Sequence, residues 1–152
     1  MVQSPRLRAA QSDILHRILQ DDGVPDKVKL GTAVDPVLMI LRVAEAMAVG
    51  IAFAKTLGWE PEQTTLGFAF RWHKLSGRQL SAWSRPFDFP DGGTAHDDEI
   101  TTFTEFTLDT PLSALAQFVD EATRDLFMAF SGATIPISTI EDLVKRLIER
   151  RL

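Results

Sequence analysis

A chain of 152 residues, 45% hydrophobic and 24% charged, is long enough for one domain with a buried core and too apolar for a disordered segment. It has no cysteine, which removes disulfides, thiol nucleophiles and thiolate metal sites, and fits a reducing, cytoplasmic setting. A net charge of -5 argues against a surface that attracts nucleic acid as a whole.

The first six residues, Met1 to Arg6, lack the apolar core of a signal peptide. Leu7, Ile14, Leu15, Ile18 and Leu19 then recur at helical spacing, and Asp21-Asp22-Gly23 followed by Pro25 ends the element. Residues 1–23 therefore read as an N-terminal connector helix and 24–152 as one domain. Residues 24–34, with Pro25 and Gly31, read as a loop.

A second helix is predicted over about 36–57. Asp35 can cap it, Pro36 stands at the first helical position, where a missing N–H costs nothing, and Gly58 and Pro61 stop it. Its greasiest stretch, Val37–Phe53, is interrupted by Arg42 and Glu45 and is rich in alanine, so a central core helix is the expectation and a membrane span is not. Gly50 inside it costs about 1 kcal/mol relative to alanine, which predicts close packing or a bend there.

The period then falls to two. Leu66, Phe68, Phe70 and Trp72 alternate with Thr65, Gly67, Ala69 and Arg71 as in a half-buried strand. Ser76-Gly77 is a turn, and Leu80 and Ala82 continue the buried face on a return strand. A polar loop covers 86–96. Residues 99–108 have the threonine and aromatic content of a third strand, in which Phe103 breaks the parity of Ile100, Phe106 and Leu108; a bulge or a strand packed on both faces is expected.

The last third is helical. Thr110-Pro111 resembles a cap with a first-position proline, ahead of a stripe from Leu112 to Phe127 that Gly132 ends. Ser138-Thr139-Ile140-Glu141 has the spacing of a capping box, opening a helix with Ile140, Leu143, Val144, Leu147 and Ile148 on one face. Its Lys145, Arg146, Arg150 and Arg151 suit the negative end of the helix dipole. The predicted class is α+β: a short antiparallel three-stranded sheet with helices before and after it, in the order α-α-β-β-β-α-α.

Charge is unevenly spread. Between Arg71 and Arg85 there are four cations and no carboxylate; between Asp88 and Asp109 there are seven carboxylates and no Lys or Arg. In the first block cations alternate with aromatics, which makes Arg71, Trp72, His73, Arg78 and Trp83 the candidate ligand site. A tryptophan would stack on a planar group, and Arg71 and Arg78 would hold a phosphate or carboxylate. The competing expectation is structural. Both tryptophans would be core and the arginines would face the acidic third strand, each opposed pair stabilising the sheet by about 0.2–1 kcal/mol.

No catalytic, metal or cofactor motif stands out. Along His96-Asp97-Asp98-Glu99 neighbouring side chains point to opposite sides of an extended chain, so a solvated acidic loop is expected rather than a metal site. His16 and His73 have no nucleophile or orienting acid beside them in sequence, and no G-x-S-x-G elbow is present to recruit Ser76, Ser81, Ser84 or Ser131. Gly92-Gly93 is followed by no Lys-Ser/Thr and makes no phosphate loop.

The run Phe-Arg-Trp-x-x-Leu-x-Gly-Arg-x-Leu-x-x-Trp at 70–83, Leu-Asp-Thr-Pro at 108–111 and Leu-Ile-Glu-Arg-Arg-Leu at 147–152 resemble bacterial proteins of the Schlafen/AlbA type. The resemblance spans about 35–152 and covers their C-terminal region alone, not the DNA- or ATP-binding domain that precedes it. It implies an accessory module that works beside an effector protein, with residues 6–20 as connector or dimer element. The expectations are thus a non-enzymatic regulatory or assembly domain, homodimeric, with no membrane or nucleic-acid partner. A sensor for a small anion or nucleotide is the alternative, and a hydrolase with a non-motif site the third.

Overall fold

The computed structural model describes residue 29 and residues 31–83 and 92–149. The connector helix, the domain boundary after residue 23 and most of the 86–96 loop lie outside these residues. Elements follow in the order β1 (Ala33–Val34), α1 (Pro36–Thr56), β2 (Thr65–His73), β3 (Gln79–Leu80), β4 (Glu99–Thr107), a 3-10 turn (Leu112–Ala114), α2 (Leu115–Met128) and α3 (Ile137–Ile148).

Local chemistry fixes α1 at both ends. The Asp35 carboxylate accepts from the N–H of Val37 at 2.8 Å and of Leu38 at 3.4 Å, with Pro36 at the first position. Such a cap stabilises a helix by about 1 kcal/mol. At the other end Gly58 takes φ +76°, its N–H donates to the Lys55 carbonyl and that of Trp59 donates to Ala54. This is the Schellman closure, which needs a left-handed residue where glycine stands.

By length and composition α1 could cross a membrane. Its Ile40, Ala44 and Met47, however, have no exposed surface and join the core with Val119 and Leu126 of α2, Phe130 just after it and Ile140 of α3. That packing is compatible with a soluble protein. Gly50 meets the close-packing expectation: a Cβ there would lie 2.8 Å from Cζ of Phe68 on β2.

The α+β class holds, but one three-stranded sheet does not form. β2 and β4 make a two-stranded antiparallel ribbon, from Thr65 opposite Thr107 to His73 opposite Glu99. β3 instead pairs in parallel with β1, through Gln79 N–H to the Thr32 carbonyl and Ser81 N–H to Val34. The chain leaves β2 through left-handed Lys74 and Gly77 (φ +59° and +76°) rather than through a tight hairpin. This turn is held by residues 95–98: Leu75 donates to the Asp98 carbonyl and Gly77 to Ala95. Leu80 and Ala82 are buried, as their alternation predicted, against a partner that read as loop.

β4 carries neither a bulge nor a face packed on both sides; its register with β2 is unbroken. Phe103 points outward, 60% exposed, with its ring over Gly67, where a Cβ would come within 3.2 Å. An aromatic ring laid over a strand glycine restores the contacts the missing side chain forfeits. The inner face packs on α2, where buried Thr102 donates to the Ala122 carbonyl at 2.7 Å and Thr104 to the Glu121 carboxylate.

Two cap predictions fail. α3 begins at Ile137 with Pro136 as its cap residue and no side-chain cap bond, so Ser138 falls inside the first turn and the capping box does not form. Thr110-Pro111 leads into the 3-10 turn rather than α2 itself, again with no side-chain cap. Gly132 does end the next element, with Ser131 before it, both at positive φ.

Candidate ligand-binding site

The ribbon twists Trp72 to the end of an aromatic series that starts in the core. Phe118 packs on Phe106 (centroids 4.7 Å apart), Phe106 on Phe68 (5.4 Å), Phe68 on Phe70 (6.4 Å) and Phe70 on Trp72 (5.7 Å, planes 22° apart). Offset aromatic pairs of this kind each contribute about 0.5–1.5 kcal/mol beyond buried area. They also hold the indole as a stiff wall.

That wall borders a cavity of about 310 Å³. The parallel pairing of β1 with β3 draws the start of α1 against the turn after β2, so the lining joins Val34, Asp35, Leu38 and Met39 to Arg71, Trp72, His73, Leu75, Arg78 and Trp83. All five residues singled out from the sequence line this one space. Trp72 and Trp83 are half-buried, so neither is a sealed core residue. Missing from the sequence reading was the opposite wall, Asp35 to Met39. Its only local signal was the helix cap.

The two arginines differ. Arg71 is exposed and donates from its guanidinium to Glu99 Oε2 at 2.7 Å, diagonally across the ribbon and two pairs along from its direct neighbour Thr101. The acidic third strand thus supplies a cross-strand partner, as the structural expectation held. Arg78 is half-buried and makes no ion pair with any described carboxylate. His73 is exposed and stands opposite Glu99. The Asp35 carboxylate lies in the wall but is committed to the first amides of α1, so the positive end of that helix is already answered.

The hydrogen bond from Arg71 holds the Glu99 carboxyl below its ordinary value, slight burial opposes this, and the charges of Arg71 and His73 add to it. A carboxylate lowered in the folded state contributes stability above its ordinary value, about pH 4, and loses it as pH falls through the folded value. Both partners are exposed, so the contribution to stability is small. An NMR titration should place the Glu99 midpoint below the usual glutamate range and return it there in Arg71→Gln. Identical midpoints in the two proteins would show that the pair does not form in solution.

Among the described residues no group of three or more His, Asp or Glu side chains could hold a metal ion. His96, Asp97, Asp98 and Glu99 are exposed. Ser131 lies against Gly93, away from the cavity, while His16 and Ser84 fall outside the described residues. Gly92 and Gly93 serve packing: a Cβ on Gly92 would come within 2.7 Å of Leu80 Cβ, and one on Gly93 within 2.0 Å of Ser131 Oγ. A larger depression of about 400 Å³ lies between the start of α2 and the end of α3, walled by Leu112, Ala116, Val144 and Ile148. It is mainly apolar and holds none of the candidate residues.

Comparison with models of protein families, with curated proteins and with solved structures gives no match to this chain.

Proposed function

We propose that this chain is a non-enzymatic, cytoplasmic regulatory domain that senses a small anionic ligand bearing a planar group. An accessory module beside an effector, as the resemblance of residues 35–152 implies, is the setting in which we place it. The observation that carries the reading is the convergence of Arg71, Trp72, His73, Arg78 and Trp83 on one open cavity. Half-buried Arg78, with no described carboxylate to neutralise it, is the anchor for a carboxylate or phosphate. Trp72, braced by Phe70, is the stacking surface. A volume near 310 Å³ is at the small end for ligand pockets and suits an aromatic carboxylate or mononucleotide rather than a dinucleotide.

Tryptophan fluorescence tests this directly. Two of the three tryptophans line the cavity, while Trp59 is exposed elsewhere and supplies a constant background. Titration with inorganic phosphate, a nucleoside monophosphate and an aromatic carboxylate should give saturable quenching by at least one planar anion. Arg78→Ala should weaken that binding about tenfold to a hundredfold, the worth of one charge-assisted hydrogen bond. Glu99→Gln should strengthen it by releasing Arg71, an effect a purely structural pair does not have. No quenching by any of the three would sink the reading.

A second reading, self-association, is favoured by a different observation: Val49 and Phe53 on α1 and Leu57 just after it are 61%, 62% and 52% exposed. Contiguous large apolar side chains on a small domain mark an interaction surface.

A further inference from the structure

We infer that the free edge of β2 takes up an extended, acidic segment of a partner protein as an added antiparallel strand, between the ribbon and α1. For the seat of the carboxylate on Arg78 this rests on the ligand reading above; the strand edge stands apart from it.

The backbone comes first. Leu108 N–H donates to the Thr64 carbonyl at 2.8 Å, in step with the ribbon register. Thr64 and Leu108 are thus a hydrogen-bonded pair, and such pairs recur at every second position. Leu66, Phe68, Phe70 and Trp72 therefore turn their peptide groups toward β4. Thr65, Gly67, Ala69, Arg71 and His73 turn theirs to the other side, where no described strand lies. An edge of nine residues with neither proline nor bulge is a template for a further strand.

Side chains distinguish this edge from that of β4. The inner face of β4 is sealed under α2, with Thr102, Thr104 and Phe106 buried. On β2 the same layer, Leu66, Phe68, Phe70 and Trp72, is only half-buried. α1 runs alongside in the opposite sense: Met39 lines the cavity with Trp72, and Gly50 meets Phe68. The two spacings agree, about 16 Å of helix against about 13 Å of strand. About one turn to either side of that contact, Ala46 and Phe53 are exposed. An added strand lays its inward side chains on the aromatic row and against this wall.

Charge selects the partner. β2 contains no carboxylate, and its cations, Arg71 and His73, stand at one end, beside the cavity that holds Arg78. Arg71 has Glu99, whereas Arg78 has no described carboxylate. An antiparallel segment that starts with an acidic residue and continues with apolar ones at alternate positions answers both features. Its carboxylate falls opposite Trp72 and reaches Arg78, and its apolar side chains follow along Phe70, Phe68 and Leu66. A second β2 brings no carboxylate and leaves the cations unanswered.

An end-blocked, fluorescently labelled peptide Glu-Thr-Val-Thr-Val-Thr-Val tests this by anisotropy on the full-length protein. Its threonines fall opposite Arg71, Ala69 and Gly67, and saturable binding is expected. N-methylation of the middle threonine, whose N–H would bond to Ala69, should weaken binding at least about tenfold. N-methylation of the valine after it, whose N–H faces away from β2, should cost less than about threefold. Replacing the glutamate by glutamine should weaken binding about tenfold to the wild-type protein and leave binding to Arg78→Ala unchanged.

Equal losses at the two methylated positions, or no binding, overturn strand addition. The expected difference between them without sensitivity to the glutamate overturns the acidic partner. Saturable quenching by a mononucleotide with no peptide binding overturns this inference and leaves the ligand reading standing; absence of both overturns both. Because the chain has no cysteine, Ala69→Cys reports without background. Its ready oxidation to a covalent dimer would give the edge to a second copy and overturn the acidic partner.

Discussion

Phe130→Ala is expected to destabilise the domain by about 3–5 kcal/mol, the range for deleting a buried phenylalanine with incomplete collapse of the cavity. Phe130 has no exposed surface and lies just beyond α2, in a turn that ties its N–H to the Phe127 carbonyl and its own carbonyl to Ala133. The backbone on both sides is thus pinned and cannot follow a smaller side chain inward. Set against a total stability of about 5–15 kcal/mol, this loss is a large fraction. Urea unfolding should show a lower midpoint at unchanged slope, and the melting temperature should fall by roughly 6–20 °C. Phe130→Leu keeps most of the volume and should lose less. A loss below about 1 kcal/mol for the alanine variant would show that this ring is not part of the core in solution.

The second large effect comes from adding atoms. Gly93→Ala should cost about 1–3 kcal/mol, because the new Cβ would sit 2.0 Å from Ser131 Oγ and 2.3 Å from Ser131 Cβ, with the Phe130 carbonyl at 3.3 Å. Ser131 has φ +58°, a conformation that glycine adopts without strain. Ser131→Gly therefore removes the obstructing side chain and relaxes the backbone in one step. In that background Gly93→Ala should cost much less than it does alone, a coupling of about 1 kcal/mol or more in the double-mutant cycle. Simple additivity of the two changes would contradict the contact. Chemical denaturation of the four proteins supplies the measurement.

What could be read from the sequence divides by range. α1 was legible at both ends because each signal is local: Asp35 lies two residues from the amide it caps, and Gly58 closes the turn it follows. The outward turn of Phe103 was not, because its reason is Gly67, across the register on another strand. Likewise Leu80 read as buried from its own neighbours, but its strand partner was decided by Val34, in a stretch too short and too glycine-flanked to register as a strand. The capping box over 138–141 was legible and misleading. Pro136, with φ fixed near -60°, serves as the cap residue itself and starts the helix two residues early. One wall of the candidate site was a contiguous block of cations and aromatics and could be found; the other wall reaches it only through the β1–β3 pairing.

The ribbon of β2 and β4 has one further consequence for the backbone. Each of its strands has a single hydrogen-bonded neighbour, so along both strands successive peptide groups alternate between facing the partner and facing away. Every second amide is bonded across the ribbon and the one between has no described strand to bond to. Protection in this ribbon therefore has a period of two, set by the pairing rather than by depth, and the aromatic wall at Trp72 is borne by a strand only half anchored.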